Sequence, residues 1–176
     1  PGQAHTPSGR FDYDVARPLE QAEIPRLIED YRVAAVNAKA AGFDGVQLHS
    51  ANGYLLDQFL RDNANFRDDD YGGSIANRIR LTLEVTKALC DVWGAGRVSV
   101  RLSPNGDSQG CDDSQPEALF TAAAAGLSDL GGELLQPGLV AVGEREIAAA
   151  CGQLQRERAA DAAGGTGHGG RTSGYR

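Results

Sequence analysis

The chain has 176 residues, a formal net charge of −7 and 41% hydrophobic residues, which is enough for one domain with a buried core. The acidic balance excludes general binding to nucleic acids or anionic membranes, because both need lysine and arginine clustered on one face. No segment approaches the roughly 20 apolar residues of a membrane span, and no signal peptide is recognisable, so a cytoplasmic location is expected. Cys90, Cys111 and Cys151 lie far apart, which indicates neither a disulfide framework nor a metal site.

Strand and helix patterns alternate along the chain, which predicts a parallel sheet with crossover helices. The first helix opens at Ile24-Pro25 and ends before Gly42, where a left-handed cap is expected. One face of this helix is apolar and consists of Leu27, Ile28, Tyr31, Ala34, Ala35 and Ala38. A short apolar strand follows at residues 45–48.

A long polar loop is expected after this strand. Gly72 and Gly73 then supply a turn and Ser74 an N-cap for a second helix, which runs to Trp93. Its apolar positions recur at helical spacing and include Ile75, Ile79, Leu83 and Leu89. A second strand is predicted at residues 98–102. Together these patterns predict two parallel and adjacent strands within a helix, strand, helix, strand, helix order from Pro25 to Phe120.

The third helix is expected to begin with a capping box. The Ser114 oxygen would accept one free helix amide, and Glu117 would reach back to another. Beyond this helix, Leu134-Leu135 is a candidate for one more strand. From Glu144 onward the chain consists mainly of small, polar and charged residues, and residues 164–176 cannot bury enough surface to fold.

Three polar side chains follow the first strand closely, namely those of His49, Asn52 and Tyr54. The carboxyl ends of strands are where α/β barrels place their active sites. Imidazole, carboxamide and phenol groups can hydrogen-bond one substrate oxygen and also deliver a proton. A single histidine beside a turn is more often structural, but Asn52 and Tyr54 at this spacing favour a site that polarises a carbonyl.

These residues and several other segments resemble the Old Yellow Enzyme family of flavin-dependent ene-reductases. The resemblance runs from about Phe11 to Leu130. It is carried by AGFDGVQLH at 41–49, NGYLLDQFL at 52–60, YGGSI at 71–75, Asn77-Arg78, and VRLSP at 100–104.

The resemblance implies a (β/α)8 TIM barrel that holds FMN and reduces activated C=C bonds of unsaturated carbonyl or nitro compounds, with NADPH or NADH as reductant. His49 and Asn52 would hydrogen-bond the activating oxygen of the substrate. Hydride would pass from the reduced flavin to the β-carbon, and Tyr54 would protonate the α-carbon. Arg101 would lie against the flavin ring, although sequence physics alone favours an ion pair with a carboxylate such as Asp107.

The elements predicted above, two or three strands and three helices, amount to about half of such a barrel at most. A complete (β/α)8 barrel usually needs about 250 residues, and the chain begins with Pro1 and contains no methionine, so a partial chain is expected. The domain organisation is then a lead segment at 1–20, a partial TIM barrel at 21–136 and a low-complexity, poorly ordered tail at 137–176. The alternative to an active oxidoreductase is an inert truncated barrel that lacks the FMN phosphate site and self-associates through open strand edges.

Overall fold

The computed structural model describes residues 3–12, 17–105, 108–131 and 140–142, which form an α/β arrangement of five strands and four helices. The strands are β1 (Gln3–Thr6), β2 (Gly9–Asp12), β3 (Val46–His49), β4 (Val98–Leu102) and β5 (Val140–Val142). The helices are α1 (Ile24–Ala40), α2 (Leu55–Leu60), α3 (Ile75–Trp93) and α4 (Pro116–Gly131). Short 3-10 turns lie at Gln21–Glu23, Ala95–Arg97 and Ser108–Gly110. No helix in these ranges is long and apolar enough to cross a membrane.

A parallel sheet in the order β3-β4-β5 forms the centre of the described region. β3 and β4 pair in parallel, with Val46 opposite Val98 and His49 opposite Arg101, and β5 extends the sheet on the far side of β4. This pairing confirms the predicted parallel and adjacent strands. β1 and β2 form a separate antiparallel hairpin that the sequence analysis did not foresee.

One face of the sheet is buried and the other is open. Leu48, Val98 and Val100 are each at most 3% exposed, and they alternate with the more exposed Gln47 and Ser99. Since successive strand residues point to opposite faces, the apolar set covers one side only. Buried residues of the helices complete the core, including Leu56, Leu60, Leu81, Val85, Leu119 and Phe120.

The predicted helix boundaries are confirmed for α1 and α3. α1 begins at Ile24 with Pro25 in its first turn, and Gly42 follows it with a φ of 86°. Within the predicted apolar face only Ala35 is buried, while Ala34 is exposed. Ser74 caps α3 by accepting a hydrogen bond from the Asn77 amide.

Two features of the predicted element map are wrong. The segment expected to be a long polar loop contains α2, whose buried face is too short to show a helical period. The predicted capping box is also absent at Ser114, because the Ser114 hydroxyl and amide bind the Asp62 carboxylate. α4 begins at Pro116, and the Asp113 carboxylate accepts from the Gln115 backbone amide. The candidate strand at Leu134-Leu135 lies outside the described residues.

A buried ion pair between Arg78 and Asp113 joins α3 to the start of α4. The Asp113 carboxylate also accepts from the Asp62 amide, and Arg78 donates to the Leu60 carbonyl. Burial alone raises the pKa of Asp113, but the hydrogen bonds from Arg78 and the backbone outweigh it and hold this pKa below its ordinary value. The pair therefore fixes the end of α2 between two longer helices.

Gly72 makes the closest backbone approach of the loop before α3. A Cβ atom at this position would lie 2.2 Å from the Arg67 carbonyl oxygen and 2.5 Å from the Arg67 Cβ. Gly96 is a matched control, because a Cβ there meets nothing within 4 Å. We expect Gly72→Ala to lower the free energy of unfolding by about 1–3 kcal/mol and Gly96→Ala to leave it unchanged or slightly higher. Urea unfolding followed by circular dichroism measures both, and equal effects would refute the steric account.

Candidate active site

The open face of the sheet is polar. Gln47 and His49 on β3 and Ser99 and Arg101 on β4 share this face, because each alternates with the buried apolar residues. The strand register places His49 opposite Arg101 and Gln47 opposite Ser99. The Gln47 amide donates to the Ser99 hydroxyl across 3.1 Å. The sequence analysis missed Gln47 and Ser99, although their spacing of two from His49 and Arg101 was a usable signal.

A tight turn follows β3 and reverses the chain. Asn52 and Gly53 both adopt left-handed backbone conformations, with φ values of 59° and 75°. Asparagine and glycine are the residues that tolerate this region best. The Tyr54 amide closes the turn by donating to the Ala51 carbonyl at 3.3 Å.

The turn brings the Tyr54 ring back against the His49 ring. The two ring centroids are 5.3 Å apart and the planes are tilted by 57°, a geometry typical of favourable aromatic contacts. Tyr54 is 56% exposed and His49 is also exposed. Both polar ends can therefore reach a molecule bound over the open face.

Hydrogen bonds to neighbouring elements hold the turn in place. The backbone amide of Asn52 donates to the Ser103 hydroxyl at 2.8 Å, and the backbone amide of Gly53 donates to the Asp57 carboxylate at 2.9 Å. The Gln58 side chain donates to the Gly53 carbonyl at 2.7 Å. The turn is thus bound to both α2 and the end of β4.

Ser50 joins the start of the turn to the sheet and to α3. Its amide donates to the Arg101 carbonyl at 3.0 Å, which continues the β3–β4 ladder past His49. Its hydroxyl lies 3.1 Å from the Thr82 hydroxyl, and both side chains are fully buried. The backbone beside His49 is therefore fixed from two directions.

The structure packs the Tyr54 ring against the His49 ring and places Arg101 opposite His49 in the strand register, and Asn52 lies in the turn between His49 and Tyr54. The Asn52 side chain is half-buried. The Arg101 side chain is exposed, and the described residues supply no hydrogen bond or ion pair to its guanidinium. Asp107, the ion-pair partner that the sequence alone favours for Arg101, lies outside the described residues.

The arrangement offers several hydrogen-bond donors and one permanent cation on an open surface. Imidazole and phenol groups can donate to an oxygen on which negative charge develops. An exposed guanidinium beside them fits a planar, electron-rich ligand or an anion. Within the described ranges, no group of histidine, cysteine and carboxylate side chains could hold a metal ion.

Comparisons with known proteins identify relatives over most of the described region. A family model described as NADH:flavin oxidoreductase / NADH oxidase matches residues 3–149. The 12-oxophytodienoate reductase 7 of Oryza sativa subsp. japonica is 48% identical over 125 residues, which make up 70% of this chain and 32% of that protein.

Solved structures give the same result. The old yellow enzyme homologue from Zymomonas mobilis is 56% identical, with a TM-score of 0.71 over 74% of this chain and 37% of that one. Morphinone reductase in complex with tetrahydroNAD is 43% identical, with a TM-score of 0.69 over 73% of this chain and 36% of its own. The predicted resemblance is confirmed. This chain spans about a third of the length of the curated relatives it matches, and the predicted fraction of a barrel stays a prediction.

The left-handed backbone at Asn52 gives a prediction that separates its backbone from its side chain. We expect Asn52→Gly to leave the free energy of unfolding nearly unchanged, because glycine adopts this conformation freely. Asn52→Ala should lower it by about 1 kcal/mol through backbone strain. Both variants lose the carboxamide equally. Urea titration distinguishes them, and identical stabilities for the two variants would contradict the conformational argument.

Proposed function

The chain belongs to the NADH:flavin oxidoreductase / NADH oxidase family, and we propose that it carries the substrate-activating side of an FMN-dependent oxidoreductase of the Old Yellow Enzyme type. The reaction is the reduction of an activated C=C bond in an unsaturated carbonyl or nitro compound, with NADPH or NADH as reductant. One observation carries this proposal. The His49 and Tyr54 ring centroids are 5.3 Å apart, and the strand register places Arg101 opposite His49 on the same face of the sheet.

His49 and Asn52 are proposed to bind the activating oxygen of the substrate. A hydrogen bond to that oxygen draws electron density from the double bond and stabilises the charge that develops on it. One donor of this kind contributes about 3 kcal/mol to transition-state stabilisation in other enzymes. Because His49 is exposed on the open face, its ring nitrogen is free to meet an incoming carbonyl.

Tyr54 is proposed to supply the proton. Its ring packs against His49, so a substrate whose activating oxygen is held by His49 would place its α-carbon within reach of the phenol. The phenol keeps its proton until charge builds up on that carbon, which is the role of a general acid.

Arg101 is proposed to face the flavin. When bound, FMN supplies the hydride, and the nicotinamide cofactor supplies it to FMN. A guanidinium with no described partner, on the same face as His49, fits the electron-rich edge of a reduced flavin ring. The solved relative in complex with tetrahydroNAD supports a nicotinamide reductant.

The proton role predicts a divided effect on the two half-reactions. With FMN and NADPH added, we expect Tyr54→Phe to slow reduction of 2-cyclohexenone by about 10²–10⁴-fold. Reduction of the flavin by NADPH should remain unchanged, because no phenol proton is needed there. Tyr31→Phe on α1 makes the same chemical change away from the site and serves as the control. Stopped-flow absorbance separates the steps, and equal losses in both steps would contradict the role.

The proposed flavin contact predicts a specific loss of FMN affinity. We expect the chain to quench FMN fluorescence on binding and Arg101→Ala to weaken that binding at least about tenfold, the worth of one charged hydrogen bond. Arg97→Ala is the matched control, since Arg97 lies before the opposite end of β4 and binds the Asp44 carbonyl. Absence of FMN binding by the unaltered chain, or equal effects of both variants, would refute the proposal and favour the inert barrel.

A further inference from the structure

A buried carboxylate lies beneath the turn that carries the proposed site. Asp57 on α2 and Arg61 form an ion pair of 3.0 Å whose side chains are 1% and 0% exposed. The same carboxylate accepts the Gly53 amide at 2.9 Å and lies 3.4 Å from the Ser103 hydroxyl. Asp57 therefore binds the turn and the end of β4 simultaneously.

Ser103 completes the link between the two strands. Its hydroxyl accepts from the Asn52 amide at 2.8 Å and can donate its own proton to Asp57. Its carbonyl accepts from the Arg61 guanidinium. Because Ser103 follows directly after β4, which carries Arg101, these contacts connect both halves of the site.

The location of this network is more informative than its burial. Two charges removed from water are costly, and an apolar pair of similar volume often stabilises a fold equally well. Here the Asp57 carboxylate binds Gly53 and the Ser103 hydroxyl binds Asn52, and these are two consecutive left-handed residues. Their amides are bound by a hydroxyl and a carboxylate rather than by another strand or a helix.

We propose that Asp57 and Ser103 are positioning residues, which fix the backbone of Asn52 and Gly53 and thereby hold the Tyr54 ring against His49. This inference rests on the proposed function and deepens it. Asp57 is buried and Ser103 is half-buried, and both bind backbone amides of the turn, through which they act. A carboxylate suits this task because it accepts several hydrogen bonds at once, whereas an asparagine offers one acceptor oxygen and a donor group in place of the other.

The second buried ion pair provides a matched control. Arg78 and Asp113 are also buried, and the Asp113 carboxylate also accepts backbone amides. These amides belong to Asp62 and Gln115, which are not part of the turn after β3. Asp113→Asn thus makes the same chemical change as Asp57→Asn in a buried pair that does not hold the site.

The test compares four variants of the full chain, namely Asp57→Asn, Ser103→Ala, Ser103→Thr and Asp113→Asn. Two-dimensional NMR measures the nuclear Overhauser effect between the His49 and Tyr54 rings. It also measures the hydrogen-exchange rate of the Asn52 backbone amide. Circular dichroism identifies a temperature at which all of the compared variants are folded, and the NMR spectra are recorded at that temperature. We expect Asp57→Asn and Ser103→Ala to lose the ring contact and to exchange the Asn52 amide about tenfold faster. Ser103→Thr, which keeps the hydroxyl, should retain both signals.

Asp113→Asn should lower the melting temperature and retain both NMR signals. The positioning role is overturned if Ser103→Ala keeps the ring contact, or if Asp113→Asn loses it to the same extent. If Asp57→Asn does not fold, the contrast between Ser103→Ala and Ser103→Thr still decides.

A parallel assay with FMN, NADPH and 2-cyclohexenone keeps the two proposals separate. We expect Ser103→Ala to lower kcat/KM about tenfold relative to Ser103→Thr, the worth of one misplaced hydrogen bond. Absence of turnover by the unaltered chain would refute the proposed function but not the positioning role. The flavin-free NMR signals would still decide the positioning role.

Discussion

The Asp57–Arg61 ion pair is the interaction on which the geometry of the site depends. Arg61 lies fully buried over the Phe120 ring, 4.8 Å from its centroid, and so ties α2 to α4. The Asp57 carboxylate of the same pair accepts a hydrogen bond from the Gly53 backbone amide. Removing one partner of a buried pair typically costs 3–5 kcal/mol. The pair adds to the buried apolar residues of α2, namely Leu56, Phe59 and Leu60, in holding this six-residue helix against the turn.

The regular elements could be predicted because their signals are local. The Ser74 cap, Pro25 in the first turn of α1 and the apolar periods of α1 and α3 each act within a few residues. α2 could not be predicted in this way, because a helix of six residues shows less than two turns of periodicity. The capping box of α4 was predicted wrongly because Asp62, distant in sequence, binds Ser114.

The residues of the proposed site also differ in how far they could be predicted from the sequence. His49, Asn52 and Tyr54 are close in sequence, so their spacing and the family resemblance identified them. Asp57 and Ser103 were missed because charged and hydroxyl residues in a sequence are normally assigned to solvent. Their role depends on a contact between α2 and the end of β4, which only the folded chain reveals. Arg101 was identified through the family resemblance, but its position opposite His49 follows from the strand register.

The proposed function requires that the polar face of β3 and β4 binds a flavin. The most direct measurement is a titration of the ¹⁵N-labelled chain with FMN, followed by two-dimensional NMR. We expect the largest chemical-shift changes at the turn residue Asn52 and at the open-face residues Gln47, His49, Ser99 and Arg101. Shifts confined to the helices, or no shifts at all with FMN in excess, would contradict it.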